Sequence, residues 1–290
     1  MSLIEEAARR LRQLEQAGID VASRLEPTMA PGRPQAREAR KPPAQAASAP
    51  RCTLDLARLQ AAGFISPALQ NPTLLHEFRV VKRPLVQHAL GRTAAPAPNR
   101  NLIMVTSALP GEGKTFVALN LAMSLAMEVD CRVLLVDADV ISPSLPGILG
   151  VEPTKGLMDV LTQPDTGLDQ ALLRTNVEHL TLLLAGTPHR GASELLASDA
   201  MTGLLAEISR RYSDRIVVFD SPPLLATTES RVLATHMGQV VVVVEAGRTT
   251  HAALESALSA VESCPVVHTL LNKTPESRVG SYYGAYAYGA

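Results

Sequence analysis

Two stretches of this chain, Arg132-Val-Leu-Leu-Val-Asp137 and Gln239-Val-Val-Val-Val-Val244, run apolar without the alternation of a half-solvated strand. Strands of that kind are covered on both faces, and doubly covered sheets are built from parallel strands joined by helical crossovers. Further apolar runs near residues 102–106, 179–184, 215–220 and 266–271 fit the same sheet, with helical stretches near 114–129, 199–211 and 249–262 between them. The pattern predicts an α/β domain with a mostly parallel sheet flanked by helices, starting after Asn101 and containing no internal repeat.

The first hundred residues follow other rules. Ser2 and Glu5 form a capping box ahead of Leu3, Ala7, Leu11 and Leu14 at helical spacing, and Gly18 ends that helix. This predicts an amphipathic N-terminal helix within residues 1–26, whose apolar stripe needs a partner surface. Six prolines among Ala, Gln, Arg and Ser make residues 27–52 a linker, since such a composition cannot offset its ordering entropy. A short helix is expected within 53–62. Asn71-Pro72 opens another towards Leu90, with Pro84 as a candidate kink. Residues 53–91 thus form a helical region preceding the main domain, 92–272, with a hinge over 92–100. A tail, 273–290, holds four of the five tyrosines: Tyr282, Tyr283, Tyr286 and Tyr288.

Composition narrows the function classes. No apolar run approaches the roughly 20 residues needed to cross a bilayer. Acidic Glu5 and Glu6 stand where a signal peptide needs positive charge, so a cytoplasmic chain is expected. A net charge of −1 argues against nucleic-acid binding through the whole surface. Three cysteines without CxxC suggest neither a disulfide framework nor a zinc site.

The chemistry is concentrated at the ends of the expected strands. Leu102-Ile-Met-Val-Thr106 leads through Ser107-Ala-Leu-Pro-Gly-Glu-Gly-Lys-Thr115 into Phe116-Val-Ala-Leu-Asn-Leu-Ala-Met123. This is a phosphate-binding loop between a strand and a helix, with Ala108 where G-x-x-x-x-G-K-[ST] has its first glycine. The fold expected is therefore a P-loop NTPase. Gly111 and Gly113 let the backbone curl so that its N–H groups point at a phosphate, and the helix adds the positive end of its dipole. Pro110, Gly111, Glu112, Gly113, Lys114, Thr115 and Phe116 are the expected nucleotide-contacting segment, with Lys114 on the β- and γ-phosphates and Thr115 on Mg²⁺. Asp137 and Asp139 follow one strand and Asp220 ends another. Parallel strands finish together at the edge where the phosphate loop lies, so these carboxylates can converge on one metal.

Pro110-Gly-Glu-Gly-Lys-Thr115, Leu134-Leu-Val-Asp137-Ala-Asp139, Phe219-Asp220-Ser-Pro-Pro223 and the C-terminal tyrosine cluster together resemble the bacterial tyrosine autokinases of polysaccharide export. The opening Met-Ser-Leu-Ile-Glu-Glu-Ala-Ala-Arg-Arg-Leu is similar to the exosortase-associated subgroup. The resemblance implies ATP, Mg²⁺ and phosphoryl transfer to Tyr282, Tyr283, Tyr286 and Tyr288. It implies Asp139 and Asp220 as metal ligands beside Thr115, and Asp137 as acceptor of the tyrosine proton. Asn272 is placed near the base. It also implies a homo-oligomer, such as a ring, through a helix carrying Glu77, Arg79 and Lys82. A separate membrane polysaccharide co-polymerase of the chain-length-determinant type is implied as activator, with a cognate tyrosine phosphatase and a peripheral position at the inner face of the cell membrane. Two departures stand out: Val140-Ile-Ser-Pro143 lacks the family's basic residue before proline, and Glu77 is displaced by one position. The alternatives are a MinD- or ParA-like ATPase, which would carry a lysine early in the loop where this chain has Leu109, and an adaptor that binds nucleotide only to regulate an export complex.

Overall fold

The computed structural model describes residues 49–67, 71–93, 98–152 and 154–275. The expected N-terminal helix, most of the linker and the tyrosine tail lie outside the described residues. The strands are β1 (Leu102–Ser107), β2 (Arg132–Asp137), β3 (Leu172–Arg174), β4 (Leu180–Leu183), β5 (Arg215–Asp220), β6 (Gln239–Glu245) and β7 (Val267–Asn272). They form one sheet in the order β3-β4-β2-β5-β1-β6-β7. Every neighbouring pair is parallel except β3 and β4, which run antiparallel.

The helices are α1 (Leu56–Ala61), α2 (Pro72–Ala89), α3 (Lys114–Ala126), α4 (Leu145–Leu149), α5 (Leu157–Thr162), α6 (Leu168–Ala171), α7 (Ala192–Leu196), α8 (Asp199–Arg211), α9 (Glu229–Thr235) and α10 (His251–Ser259). Successive residues of one strand enter opposite cores. Leu102, Met104, Leu134, Val136, Val240 and Val242 pack on the side of α8 and α9, whereas Ile103, Val105, Val133, Leu135, Val241 and Val243 pack on the side of α2 and α3. This double coverage is why the central strands carry no polar alternation. Helix α3 lies between sheet and α2, and every residue from Val117 to Ala126 is buried.

The expected elements are present with adjusted ends. Helix α3 stops at Ala126 rather than 129, and α10 covers less than the expected 249–262, its start capped by Thr250. Asp55 caps α1 through its side chain. Asn71 caps α2, its Oδ1 accepting from the N–H groups of Thr73 and Leu74, both at 3.2 Å. Helix α2 runs on through Pro84, which cannot donate to the carbonyl of Val80, a residue on the exposed side. The short antiparallel β3 was not expected. Residues 50–52, placed in the linker by composition, pair along its edge: Arg174 N–H donates to Pro50 O and Cys52 N–H to Arg174 O, both at 2.8 Å. The end of the expected hinge is also anchored, since Asn99 Nδ2 donates to His236 O at 2.9 Å and Arg100 Nε to Ala89 O at 3.2 Å.

Candidate functional site

The loop between β1 and α3 is shaped by two glycines in the left-handed region, Gly111 at φ 84° and Gly113 at φ 99°. A Cβ at Gly113 would lie 2.2 Å from Asn272 Nδ2, so a side chain there would displace that amide. Glu112 turns inward and is only 1% exposed. Its Oε2 accepts from Leu109 N–H at 2.8 Å and its Oε1 accepts from the Thr249 hydroxyl, so it braces the loop from within. None of the N–H groups of residues 111–116 donates to a protein acceptor among the described residues. With the N-terminus of the 13-residue α3 behind them, these amides form a ready anion site.

Asp137 and Asp220 are direct register partners at the ends of β2 and β5. Both are fully buried. Asp137 Oδ1 accepts from Asp139 N–H at 3.2 Å, but among the described residues its Oδ2 has no partner and neither oxygen of Asp220 has a partner of good geometry. Burial pushes the Asp137 pKa up to about 8, and the neighbouring Asp220 and Asp139 charges add to the rise. Burial likewise raises Asp220 to about 6, against the lowering influence of Lys114 and the nearby Thr115 hydroxyl. Asp139 is better provided for: its Oδ2 pairs with Lys114 Nζ at 2.7 Å and its Oδ1 accepts from Ser142 N–H at 3.3 Å. Lys114, Thr115, Asp137, Asp139 and Asp220 are therefore brought together at one edge of the sheet.

Three orphaned buried carboxylate oxygens are what a divalent cation would satisfy. Among the described residues no group of three His, Cys, Asp or Glu side chains is placed to hold a metal alone. A cation here would need the Thr115 hydroxyl and oxygens of a bound ligand beside the carboxylates, as Mg²⁺ bound with a nucleotide does.

Other residues singled out from sequence take less direct positions. Phe116 faces Phe64, with ring centroids 5.3 Å apart. Asn272 Nδ2 donates to Glu112 O at 2.9 Å, which ties it to the loop. On α2, Arg79 is exposed and Glu77 half-buried, whereas Lys82 points inward to Ser124 O at 2.7 Å and Glu128 at 2.6 Å. The four tail tyrosines lie outside the described residues. Sequence reasoning missed Thr249 as a loop contact, and its separation of 137 positions from Glu112 left no local signal.

Comparison with known proteins gives concordant matches. The ParA family model, described as NUBPL iron-transfer P-loop NTPase, matches residues 99–263. Tyrosine-protein kinase YwqD of Bacillus subtilis (strain 168) is 35% identical over 162 residues, covering 56% of this chain and 67% of that protein. Putative tyrosine-protein kinase EpsB of Ralstonia nicotianae is 34% identical over 194 residues, covering 65% of this chain but only 25% of the longer relative. Among solved structures, the VpsO kinase domain superposes with a TM-score of 0.59 at 28% identity, covering 69% of this chain and 96% of that one.

Proposed function

The chain belongs to the bacterial tyrosine-protein kinases, within the wider P-loop NTPases, and on that premise we propose that it transfers the γ-phosphoryl group of ATP to its own C-terminal tyrosines. The observation that carries this is the meeting, at one sheet edge, of Lys114 with loop amides and buried carboxyl oxygens that have no partner among the described residues.

In the proposed reaction the loop amides and Lys114 bind the β- and γ-phosphates, with the ammonium leaving Asp139 for the more negative ligand. Thr115, Asp139 and Asp220 would hold a Mg²⁺ bound with the nucleotide, which would supply positive charge against the phosphate oxygens. The phenol oxygen of Tyr282, Tyr283, Tyr286 or Tyr288 forms a bond to the γ-phosphorus while the bond to the bridging oxygen breaks. ADP departs with that electron pair. The phenol proton goes to Asp137, which stands beside Asp139 and Asp220 at the end of β2. Because such transfers pass through a loose transition state in most analyses, positioning and charge neutralisation contribute more than basicity.

The biological setting belongs to the same proposal. Autophosphorylation regulates exopolysaccharide synthesis and export, at the inner face of the membrane, with a co-polymerase of the chain-length-determinant type as activator and a phosphatase to reset the tail. Glu77 and Arg79, on the accessible part of α2, remain the candidates for contact between copies. No helix among the described residues is long and apolar enough to cross a membrane. Incubating purified protein with γ-labelled ATP and Mg²⁺ tests the activity. Label on tyrosine supports it; label released only as free phosphate favours a ParA-like ATPase; no turnover favours a nucleotide-binding adaptor.

A further inference from the structure

The amides of a phosphate loop face a ligand only if their carbonyls face away, because C=O and N–H of one planar trans peptide point in opposite directions. Two such carbonyls are held from outside. Lys273 Nζ donates to Gly111 O at 2.7 Å, and Asn272 Nδ2 donates to Glu112 O at 2.9 Å. The N–H groups belonging to those same two peptides are those of Glu112 and Gly113. Neither has a protein acceptor among the described residues.

Both donors come from the end of β7 and the residue after it, and both are themselves constrained. Lys273 takes the left-handed backbone conformation, φ 56°. Its ammonium also lies 3.2 Å from Glu245 Oε2, on which Arg248 Nη1 converges at 3.1 Å. Asn272 Nδ2 sits in the space that a side chain at position 113 would fill. A lysine ammonium resting on a backbone carbonyl is unexplained by any phosphate, metal or base contact.

We propose that Asn272 and Lys273 are positioning residues of the phosphate loop, fixing the Gly111–Glu112 and Glu112–Gly113 peptides so that two amides point at the nucleotide phosphates. The inference rests on the loop being the ATP site. Through these residues the end of β7 takes part in phosphate binding without touching the ligand. The carbonyl contacts also separate this role from base recognition, since a loop-positioning residue affects a ligand that has no base.

The test is calorimetric binding of ADP and of inorganic tripolyphosphate, each with Mg²⁺, to the full chain and to Lys273→Met, Lys273→Arg and Asn272→Ala. Lys273→Met and Asn272→Ala should each weaken both ligands by about three- to tenfold, the range expected for one lost hydrogen bond. Lys273→Arg, which keeps a donor, should recover most of the loss. Thermal unfolding of the unliganded variants should stay close to wild type. Undiminished tripolyphosphate binding in both variants overturns the proposal. So does Asn272→Ala losing ADP while keeping tripolyphosphate, which would make Asn272 a base contact. Wild-type protein that binds neither ligand overturns the ATP-site reading, and this inference with it, a result distinct from the other two.

Discussion

The two ends of the sheet treat buried polar groups in opposite ways. At the amino end of the strands, Lys82 is 8% exposed, yet its ammonium reaches both Ser124 O and Glu128. Asn101 donates to Tyr212 O at 3.2 Å and accepts from Ser209 Oγ at 3.2 Å, and Gln239 Nε2 donates to Leu85 O at 3.1 Å and Arg100 O at 2.9 Å. The unpaired buried atoms towards this end, Gln239 Oε1, Tyr212 OH, His88 Nε2 and His268 Nε2, include no carboxyl oxygen. At the carboxyl end the unpaired atoms belong to carboxyl groups, Asp137 and Asp220, beside amides with no protein acceptor among the described residues. Burying an unpaired charge is far more costly than burying a neutral polar atom. A fold that pairs Lys82 at one edge and leaves oxygens of two buried carboxyl groups without partners among the described residues at the other has a structural edge and a ligand edge.

The sharpest way to break this comparison is at Lys114. Lys114→Met should lower tyrosine labelling by at least about 100-fold, the scale on which loss of one transition-state donor acts. The fold should persist, because the Lys114 side chain lies at the site and not within either apolar core. Circular dichroism and labelled ATP check both halves. Labelling at the wild-type level would remove Lys114 from the site.

A second effect follows from the raised carboxyl pKa values. A group whose folded pKa exceeds its unfolded value favours the folded state at low pH, and that contribution fades as pH rises through the folded value. For Asp220 the window runs from the ordinary 3.8 to about 6, and for Asp137 from 3.8 to about 8. Nucleotide-free protein in a chelator should therefore lose stability from these groups as pH rises from about 4 to about 8. Asp137→Asn should flatten the upper part of that dependence, measured by urea unfolding at several pH values. An unchanged slope would mean that Asp137 already has a partner.

How much of this contrast is readable from sequence depends on range. The strands were found because Arg132–Asp137 and Gln239–Glu245 carry their double burial as uninterrupted apolar runs. The loop was found because its two glycines, lysine and threonine fall within a few residues of one another, between strand and helix. Three-residue β3 escaped because Leu172-Leu-Arg174 is too short to show a period, and its pairing with β4 is tertiary. The inward turn of Glu112 escaped for a related reason. A glutamate in a glycine-rich loop reads as solvent-exposed until Thr249 appears beside it. The contact of Phe116 with Phe64, from the loop after α1, is likewise tertiary and leaves no local signal.

At the structural edge, Lys82→Met tests whether a satisfied charge serves folding rather than ligand binding. Methionine keeps much of the stem packing and removes both ammonium contacts. Glu128 is about half exposed and can be solvated, so the main loss is the donor to Ser124 O. The expected cost is about 1–2 kcal/mol in chemical unfolding. ADP affinity should not change, and a tenfold loss of affinity would show the two edges to be coupled.

The smallest expected effect lies at Asn71, which is remote from both sets of buried charges. Its side chain satisfies two of the N–H groups that α2 leaves unpaired at its start. Asn71→Ala removes both contacts and should cost about 1 kcal/mol. In a domain of this size that corresponds to a fall of about 2–4 °C in the unfolding midpoint. Because α2 packs against α3, the cap could in principle reach the phosphate loop through that helix. The comparison says that it does not: α3 is fixed by its own fully buried stretch from Val117 to Ala126, and the loop by Glu112, Asn272 and Lys273. Asn71→Ala should therefore lower the midpoint while leaving ADP affinity and tyrosine labelling of the folded protein at wild-type levels. A parallel loss of affinity at temperatures well below the midpoint would place α2 within the ligand edge and redraw the boundary between the two.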